Sequence, residues 1–331
     1  MRRRLLFTVL TFGALAAAAC LFAPLVGSTP LSLRRVFDRA IPFADNADAQ
    51  IFFVARLPRT IAAALVGASL AAAGVVFQAL LRNPLATPFT LGVSAGAALG
   101  AMLAITFPVG LAFAGISSVP IASFAGALGA VAIVYALATA RRQGLSTTVL
   151  LLAGITLNAF FSSLILFIQY LADFSQTFRT VRWLMGDLDV GGYGPILAAL
   201  PFMLAAFGAF AVLPRALNLL TLGGDAAAAR GVDVLRTQRL SFFSASLATG
   251  AAVSLGGPVG FIGIIVPHLV RLMVGSDHRI VLPAATLFGA AFLVACDTAA
   301  RTVMAPMELP VGILTALIGG PFFLWLLLRR R

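Results

Sequence analysis

The sequence contains no lysine, because all 23 of its basic residues are arginine. A P-loop that binds nucleotide needs the lysine of its G-x-x-x-x-G-K-[ST] motif, so hydrolysis of ATP by such a loop in this chain is excluded. Acidic residues are scarce as well, and Glu308 is the single glutamate. With 10% charged and 61% hydrophobic residues, the chain has too little polar surface for an ordinary water-soluble fold.

Groups that perform catalysis or bind metal are also few. The histidines are His268 and His278, and the cysteines Cys20 and Cys296 form no metal or disulfide spacing. The sequence has no H-E-x-x-H and no G-x-S-x-G motif. We therefore expect no enzymatic activity and no cofactor or metal bound by this chain. The two histidines are interpreted as polar residues at helix ends, with metal binding as the alternative.

Long apolar runs make up most of the sequence. Ten of them approach the length of about 20 residues that crosses the hydrocarbon core of a bilayer. They cover residues 5–27, 58–81, 90–107, 118–140, 149–171, 194–214, 238–255, 258–274, 280–296 and 311–328. Their apolar character is continuous and does not alternate, which favours helices over a barrel. The sequence therefore predicts an all-α polytopic membrane protein with about ten transmembrane helices in one domain, residues 1–331.

The first apolar run resembles a signal peptide. Arginines at positions 2–4 precede it, and an alanine-rich stretch reaches Cys20, as before a lipoprotein cleavage site. The run continues to Gly27, and the sequence after it is also apolar. We interpret it as an uncleaved first span, with a cleaved signal as the alternative.

The arginines predict the topology. With a cytoplasmic N-terminus, positions 2–4, 82, 141, 142, 215, 230, 236, 239, 271, 279 and 329–331 fall inside, and positions 34, 35, 39, 56, 59, 179, 182 and 301 fall outside. The excess inside places both termini in the cytoplasm, and it explains the net charge of +12 without a nucleic-acid partner. Ionisable residues are nearly absent from the span centres, which argues against a carrier coupled to protons or sodium.

Two connections between spans carry distinctive residues. In residues 217–234, Asp225 is predicted to cap a short alanine-rich helix that Gly231 ends. This element is either a simple interfacial helix or a surface on which an ATP-hydrolysing partner acts. In residues 78–88, Pro84 and Pro88 end a helix and form a tight cytoplasmic turn.

A series of motifs resembles the FecCD family, the permeases of ATP-binding-cassette (ABC) importers for iron-siderophore, haem and cobalamin. The motifs are Arg56-Leu-Pro-Arg59, Asn83-Pro84-Leu85-Ala86, Leu91-Gly92-Val-Ser94, Leu151-Leu-Ala-Gly154, Gly260-Phe-Ile-Gly263, Pro267-His268-x-x-Arg271 and Glu308-Leu-Pro-Val-Gly312. The resemblance implies the type II importer permease fold, in which a ten-helix subunit of the inner membrane pairs with a second copy of itself. It also implies two ATP-binding-cassette ATPase subunits at the cytoplasmic side and a periplasmic binding protein at the outer side.

The resemblance further implies roles for particular residues. The ATPase coupling region comprises Gly223, Gly224, Asp225, Arg230 and Gly231, with Asp225 where the family often has glutamate. The cytoplasmic gate comprises Thr147 and Thr148, with Asn83 and Leu85 as a second constriction. Without the resemblance, the two threonines would be interpreted as a helix N-cap after Arg141 and Arg142.

Two further groups of residues have two interpretations each. Asn158, Ser162 and Ser163 share roughly one helical face, so they either line the translocation path or pack helices together. Arg56, Arg59 and Arg301 at the outer side resemble docking sites for carboxylates of the binding protein. The alternative is that they anchor to lipid headgroups, or that Arg301 pairs with Asp297 one helical turn before it.

These observations predict a homodimeric permease that passes an iron chelate, such as a siderophore or haem complex, or cobalamin. A cargo that carries its metal inside its own chelate needs no metal ligands from the protein. The alternatives are a permease for free metal ions, and a secondary carrier or intramembrane enzyme. Which chelate is carried is left open.

Overall fold

The computed structural model describes residues 2–107, 117–140 and 146–329, so Arg141, Arg142, Arg330 and Arg331 lie outside the described residues. Within these residues, a helix lies at each of the ten predicted spans. They are Arg2–Phe22 (α1), Leu57–Leu80 (α2), Val93–Thr106 (α3), Ser118–Thr139 (α4), Thr147–Leu171 (α5), Gly194–Val212 (α6), Val234–Gly256 (α7), Ile262–Val274 (α8), His278–Thr302 (α9) and Val311–Arg329 (α10).

Most of these helices have the length and composition of membrane spans. In the described part of the chain, 6 helical segments, which contain α1, α2, α4, α5, α6 and α9, are long and apolar enough to cross a bilayer. The helices α3, α8 and α10 are shorter apolar helices. Helix α7 has 23 residues and carries Arg236 and Arg239 in its first two turns. The predicted all-helical membrane fold is confirmed.

Helix α2 is the centre of the bundle and packs against α7, α8 and α9. Glycines allow its backbone to touch two of these neighbours. A Cβ atom on Gly67 would lie 2.2 Å from the carbonyl oxygen of Gly289 in α9, and one on Gly74 would lie 2.2 Å from that of Gly263 in α8. Such close approach is typical of membrane helices, whose association is driven by van der Waals contact. The close packing predicted from the small residues is therefore present.

Short helices connect the long ones. Before α2, the helices Leu33–Val36 and Ala47–Gln50 lead into a π-helical segment, Ile51–Arg56, which continues directly into α2. We call the end of the bundle that carries Arg59 the outer end, and the end that carries residues 217–234 the inner end. At the inner end, the helices Pro214–Leu220 and Gly224–Ala228 connect α6 to α7.

One helix was not anticipated. Phe174–Leu184 lies between α5 and α6, where the sequence analysis placed no element. A reciprocal capping box begins it: the backbone N–H of Gln176 donates to Asp173, and the backbone N–H of Asp173 donates to the side chain of Gln176. The amide of Gln176 also donates to the carbonyl oxygen of Thr106 at 3.1 Å, which attaches this helix to the end of α3.

Candidate functional site

The inner connection between α6 and α7 forms an exposed surface. Gly223 precedes the helix Gly224–Ala228 with φ of 115°, and Gly231 after that helix has φ of 79°. Both values lie where a residue with a Cβ is strained. The backbone N–H of Val232 donates to the carbonyl oxygen of Ala227 at 3.1 Å. Gly231 therefore ends this helix in the left-handed conformation, as predicted.

The predicted cap of the same helix is wrong. The N-cap residue is Gly223, which has no side chain to cap with, and Asp225 lies inside the first turn. A carboxylate there still stabilises the helix through its dipole. Asp225 and Arg230 are exposed, and Leu222 beside them is 61% exposed. The surface thus offers an acidic, a basic and an apolar group to a partner.

Asn218 connects this surface to α9. Its side-chain oxygen accepts a hydrogen bond from the backbone N–H of His278 at 2.9 Å, and Nδ1 of His278 lies 2.7 Å from the same oxygen. The amide nitrogen of Asn218 donates to Asp277 at 2.7 Å. Hydrogen bonds from Arg279, with a further one from Asn218, hold the pKa of Asp277 below its usual value. The helix Pro214–Leu220 is therefore fixed to the start of α9.

The predicted gate threonines lie in the first turn of α5. The N-cap of this helix is Ser146, whose hydroxyl accepts a hydrogen bond from the backbone N–H of Val149 at 3.4 Å. The alternative interpretation, in which the threonines are the cap, is therefore wrong. Thr148 is exposed and Thr147 is half-buried.

The predicted second constriction lies on the turn after α2. The side-chain oxygen of Asn83 accepts a hydrogen bond from the backbone N–H of Leu85 at 2.9 Å, which fixes the turn. The side chain of Leu85 is 44% exposed. Asn83 also lines a cavity of about 300 Å³ at the inner end, and neither Thr147 nor Thr148 lines it.

A groove runs beside α5, and its lining is more apolar than polar. Its volume is about 500 Å³, and its polar lining comprises Ser94, Asn158, Ser162 and Gln169. The amide of Asn158 donates to the carbonyl oxygen of Phe89 at 2.7 Å, which attaches α5 to the turn before α3. The predicted pair Asn158 and Ser162 is thus brought together on one surface.

Three findings refine the prediction of this groove. Ser163 is not part of the lining, because it is turned away and its hydroxyl donates to the carbonyl oxygen of Ala159 at 3.0 Å. Gln169 and Ser94 were not predicted to line the path. Positions 158, 162, 165 and 169 follow the helical spacing, so an extension of the stripe along α5 would have found Gln169.

Three arginines and two carboxylates form a cluster at the outer end. Nε of Arg59 donates to both carboxylate oxygens of Asp297, at 3.0 and 3.1 Å, and Nη1 of Arg59 donates to Glu308 at 2.6 Å. Nε of Arg301 donates to Asp297 at 3.1 Å. Arg56 instead donates to the carbonyl oxygens of Pro24 and Thr29, at 3.2 and 2.6 Å. The cluster ties α2, α9 and the segment before α10 together.

The pair of Arg301 with Asp297, which was the alternative to docking, is therefore present. The three arginines are buried, with 6%, 8% and 3% exposure for Arg56, Arg59 and Arg301. A partner that docks through these arginines therefore has to compete with hydrogen bonds that the arginines already form within the chain. Glu308 was not predicted to take part, although it is the single glutamate of the chain and lies in one of the quoted motifs.

The histidines differ from their interpretation in one respect. His278 is the first residue of α9, as expected for a polar residue at a helix end. His268 instead lies in the middle of α8, where its ring packs edge-on against Phe322 at 6.3 Å between centroids. Among the residues that the structure describes, no group of 3 or more His, Cys, Asp and Glu side chains is placed to hold a metal ion.

The long apolar helices indicate a multi-pass membrane protein, and a groove without charged lining residues is compatible with a transport permease. The chain belongs to the FecCD transport family, whose model matches residues 15–329. The hemin transport system permease protein HmuU of Yersinia pestis is 39% identical over 307 residues, which is 92% of this chain and 90% of that protein.

Two further similarities cover most of the chain. The cobalamin import system permease protein BtuC of Halobacterium salinarum is 46% identical over 276 residues, which is 82% of this chain and 72% of that protein. A solved structure described as a metal-chelate type ABC transporter in an inward-facing conformation has a TM-score of 0.85 and 32% identity. That similarity covers 97% of this chain and 98% of the solved one. The family and the fold inferred from the motifs are thus confirmed.

Proposed function

We propose that this chain is the membrane-spanning subunit of an ABC importer that moves an iron chelate or cobalamin across the inner membrane. The observation that carries this proposal is the end-to-end membership of the FecCD transport family, whose model matches residues 15–329. Relatives are named for transport of hemin, cobalamin and Fe(3+)-citrate. A groove without charged side chains in its lining suits such cargo, because a chelate already satisfies the coordination of its metal.

The path follows α5. Asn158 and Ser162 line it within the groove, with Ser94 and Gln169, and Thr147, Thr148, Asn83 and Leu85 form the gate at the inner end. These side chains offer hydroxyl, amide and methyl groups, which bind cargo weakly enough for release. In this role the chain performs no chemistry and binds no cofactor, and ATP is hydrolysed on the partner subunit.

The partners are a second copy of this chain, two ATPase subunits and a periplasmic binding protein, all within or against membrane lipid. The ATPase acts on the exposed inner surface formed by Gly223, Gly224, Asp225, Arg230 and Gly231. Both termini lie in the cytoplasm, because most arginines then fall inside.

Reconstituted uptake tests this function. The chain is purified with the ATPase subunit from its source cells, placed in proteoliposomes and supplied with the binding protein loaded with ferric siderophore, haem or cobalamin. We expect uptake of one of these cargoes, dependent on ATP and on both partners. Uptake by the chain alone, or uptake of free Fe³⁺ without a chelator, would overturn the proposal.

A further inference from the structure

A cationic cavity lies at the inner end, outside the groove beside α5. It has a volume of about 300 Å³, and the side chains that matter for its chemistry are Gln78, Arg82, Thr221, Arg271 and His278. These residues come from the ends of α2, α8 and α9 and from the segment that leads into the exposed inner surface. The cavity therefore borders four structural elements at once.

The positive charges of this cavity are not compensated. Arg271 donates to the amide oxygen of Gln78, and the amide nitrogen of Gln78 donates to the carbonyl oxygen of Gly263 at 3.0 Å. Neither Arg82 nor Arg271 forms an ion pair with any residue that the structure describes. The lining includes no carboxylate, and the nearby Asp277 is bonded to Arg279 and Asn218. Two guanidinium groups next to neutral amides favour binding of an anion.

The backbone places Arg82 at the point where α2 ends. Arg82 has φ of 49°, in the left-handed region that glycine and asparagine occupy most easily. The backbone N–H of Asn83 donates to the carbonyl oxygen of Gln78 at 3.1 Å, so Arg82 ends α2 in the same way that Gly231 ends the helix Gly224–Ala228. The side chain reaches toward the exposed inner surface, because a Cβ atom on Gly223 would lie 4.0 Å from Nη1 of Arg82.

We propose that this cavity binds the carboxylate of an acidic side chain from the partner ATPase, an inference that rests on the proposed function. The position of the cavity favours this occupant over a lipid phosphate. Thr221 lines the cavity, and Arg82 lies next to Gly223, so the site is continuous with the surface assigned to the ATPase. Guanidinium groups bind carboxylate in a bidentate geometry and stay charged at any physiological pH.

This contact has a mechanical consequence. Arg82 immediately precedes Asn83, whose side chain fixes the turn of the proposed second constriction. Movement of a carboxylate bound to Arg82 is therefore transmitted directly to the turn that contains Asn83 and Leu85. This contact acts in addition to any contact with the helix Gly224–Ala228. The ATPase then contacts the permease at two points instead of one.

The absence of lysine provides a direct test. In the complex of the chain with its ATPase, Arg82→Lys introduces the single lysine amine of the permease. A water-soluble carbodiimide joins an amine to a carboxylate in contact with it, with loss of water. We expect an amide bond between position 82 and an Asp or Glu of the ATPase, identified by mass spectrometry. Arg3→Lys, an exposed position on α1, is the matched control and should give no such bond.

A second variant measures the strength of the contact. Arg82→Gly removes the charge and fits the local backbone, so the fold is not strained by the change. We expect ATPase binding to weaken about tenfold or more, the effect of losing one charge-assisted hydrogen bond. Arg3→Gln removes a charge from the same end of the bundle, and it should leave binding unchanged.

The possible outcomes separate this inference from the proposed function. If the ATPase copurifies with the chain but cross-links only to Arg3→Lys, or to neither variant, the cavity assignment is wrong and the importer function stands. If Arg82→Gly loses bound phospholipid and keeps its ATPase affinity, a lipid headgroup occupies the cavity and the inference is overturned. If no ATPase copurifies with the unaltered chain, the proposed function fails and this inference falls with it.

Discussion

Glu308 accepts a hydrogen bond from Nη1 of Arg59 at 2.6 Å, although the two residues are 249 positions apart in the sequence. The other carboxylate that binds Arg59 is that of Asp297, which is 1% exposed, whereas the side chain of Glu308 is 43% exposed. Arg59 is therefore held by one buried acid and one acid that a partner can reach. If the binding protein docks here, its carboxylate has to compete with Glu308.

The first prediction concerns this competition. Glu308→Gln should strengthen docking of the binding protein severalfold at low salt, because Arg59 then has one fewer carboxylate and attracts another more strongly. The protein itself should lose about 1 kcal/mol or less of stability, as expected for a partly exposed ion pair. Binding to the permease in lipid nanodiscs, measured at two salt concentrations, checks this. Unchanged or weaker docking at low salt would contradict it.

The second prediction concerns the buried acid of the same cluster. Asp297→Asn leaves Arg59 and Arg301 without their shared buried carboxylate, and the loss of one member of a buried ion pair costs about 3–5 kcal/mol. A denaturant titration of the purified permease measures the change in free energy of unfolding.

Asp187→Asn provides the control, because it breaks the pair with Arg182 in which the arginine side chain is 58% exposed. That change should cost about 1 kcal/mol or less. Equal losses of unfolding free energy in the two variants would show that burial does not determine how much Asp297 contributes to stability.

The ten helices follow from the sequence because a bilayer requires long apolar runs to be helical. The end of α9 does not follow from the apolar runs alone. The ninth apolar run ends at residue 296, before Asp297, whereas α9 continues to Thr302. Charged residues normally mark the end of a span, but here Asp297 and Arg301 neutralise one another inside the bundle. The helix can therefore continue past them.

Contacts between distant elements do not follow from the pattern of apolar runs. Glu308 binds Arg59 because the segment before α10 reaches the start of α2, and a local pattern does not record which helix ends meet. The attachment of Asn158 to Phe89 depends in the same way on how α5 crosses the turn before α3. The face of α5 that lines the groove was predictable, since it depends only on the helical repeat.

The third prediction concerns the proposed gate at Thr147 and Thr148. Thr147→Trp combined with Thr148→Trp should reduce cargo flux through proteoliposomes at least tenfold, because two large rings then occupy the inner start of α5. Docking of the binding protein at the outer end should not change.

Leu197→Trp is the control for the added bulk, since Leu197 lies on α6 and is 64% exposed. It should leave flux near that of the unaltered chain. Normal flux through the double variant would reject the assignment of the two threonines to the gate.

The fourth prediction concerns the helix Gly224–Ala228, on which the ATPase is proposed to act. It separates the effect of backbone conformation from that of side-chain contact. Gly231 has φ of 79°, and a Cβ atom added to it would meet no atom within 4 Å. Gly231→Val therefore acts through the backbone alone, because a β-branched residue in the left-handed region costs about 1–2 kcal/mol. The end of the helix Gly224–Ala228 should loosen, so that ATP is hydrolysed while cargo uptake falls. Gly231→Asn should retain coupling, because asparagine tolerates the left-handed conformation. Uptake per ATP hydrolysed in proteoliposomes measures the difference, and equal ratios for the two variants would show that this backbone conformation does not contribute to coupling.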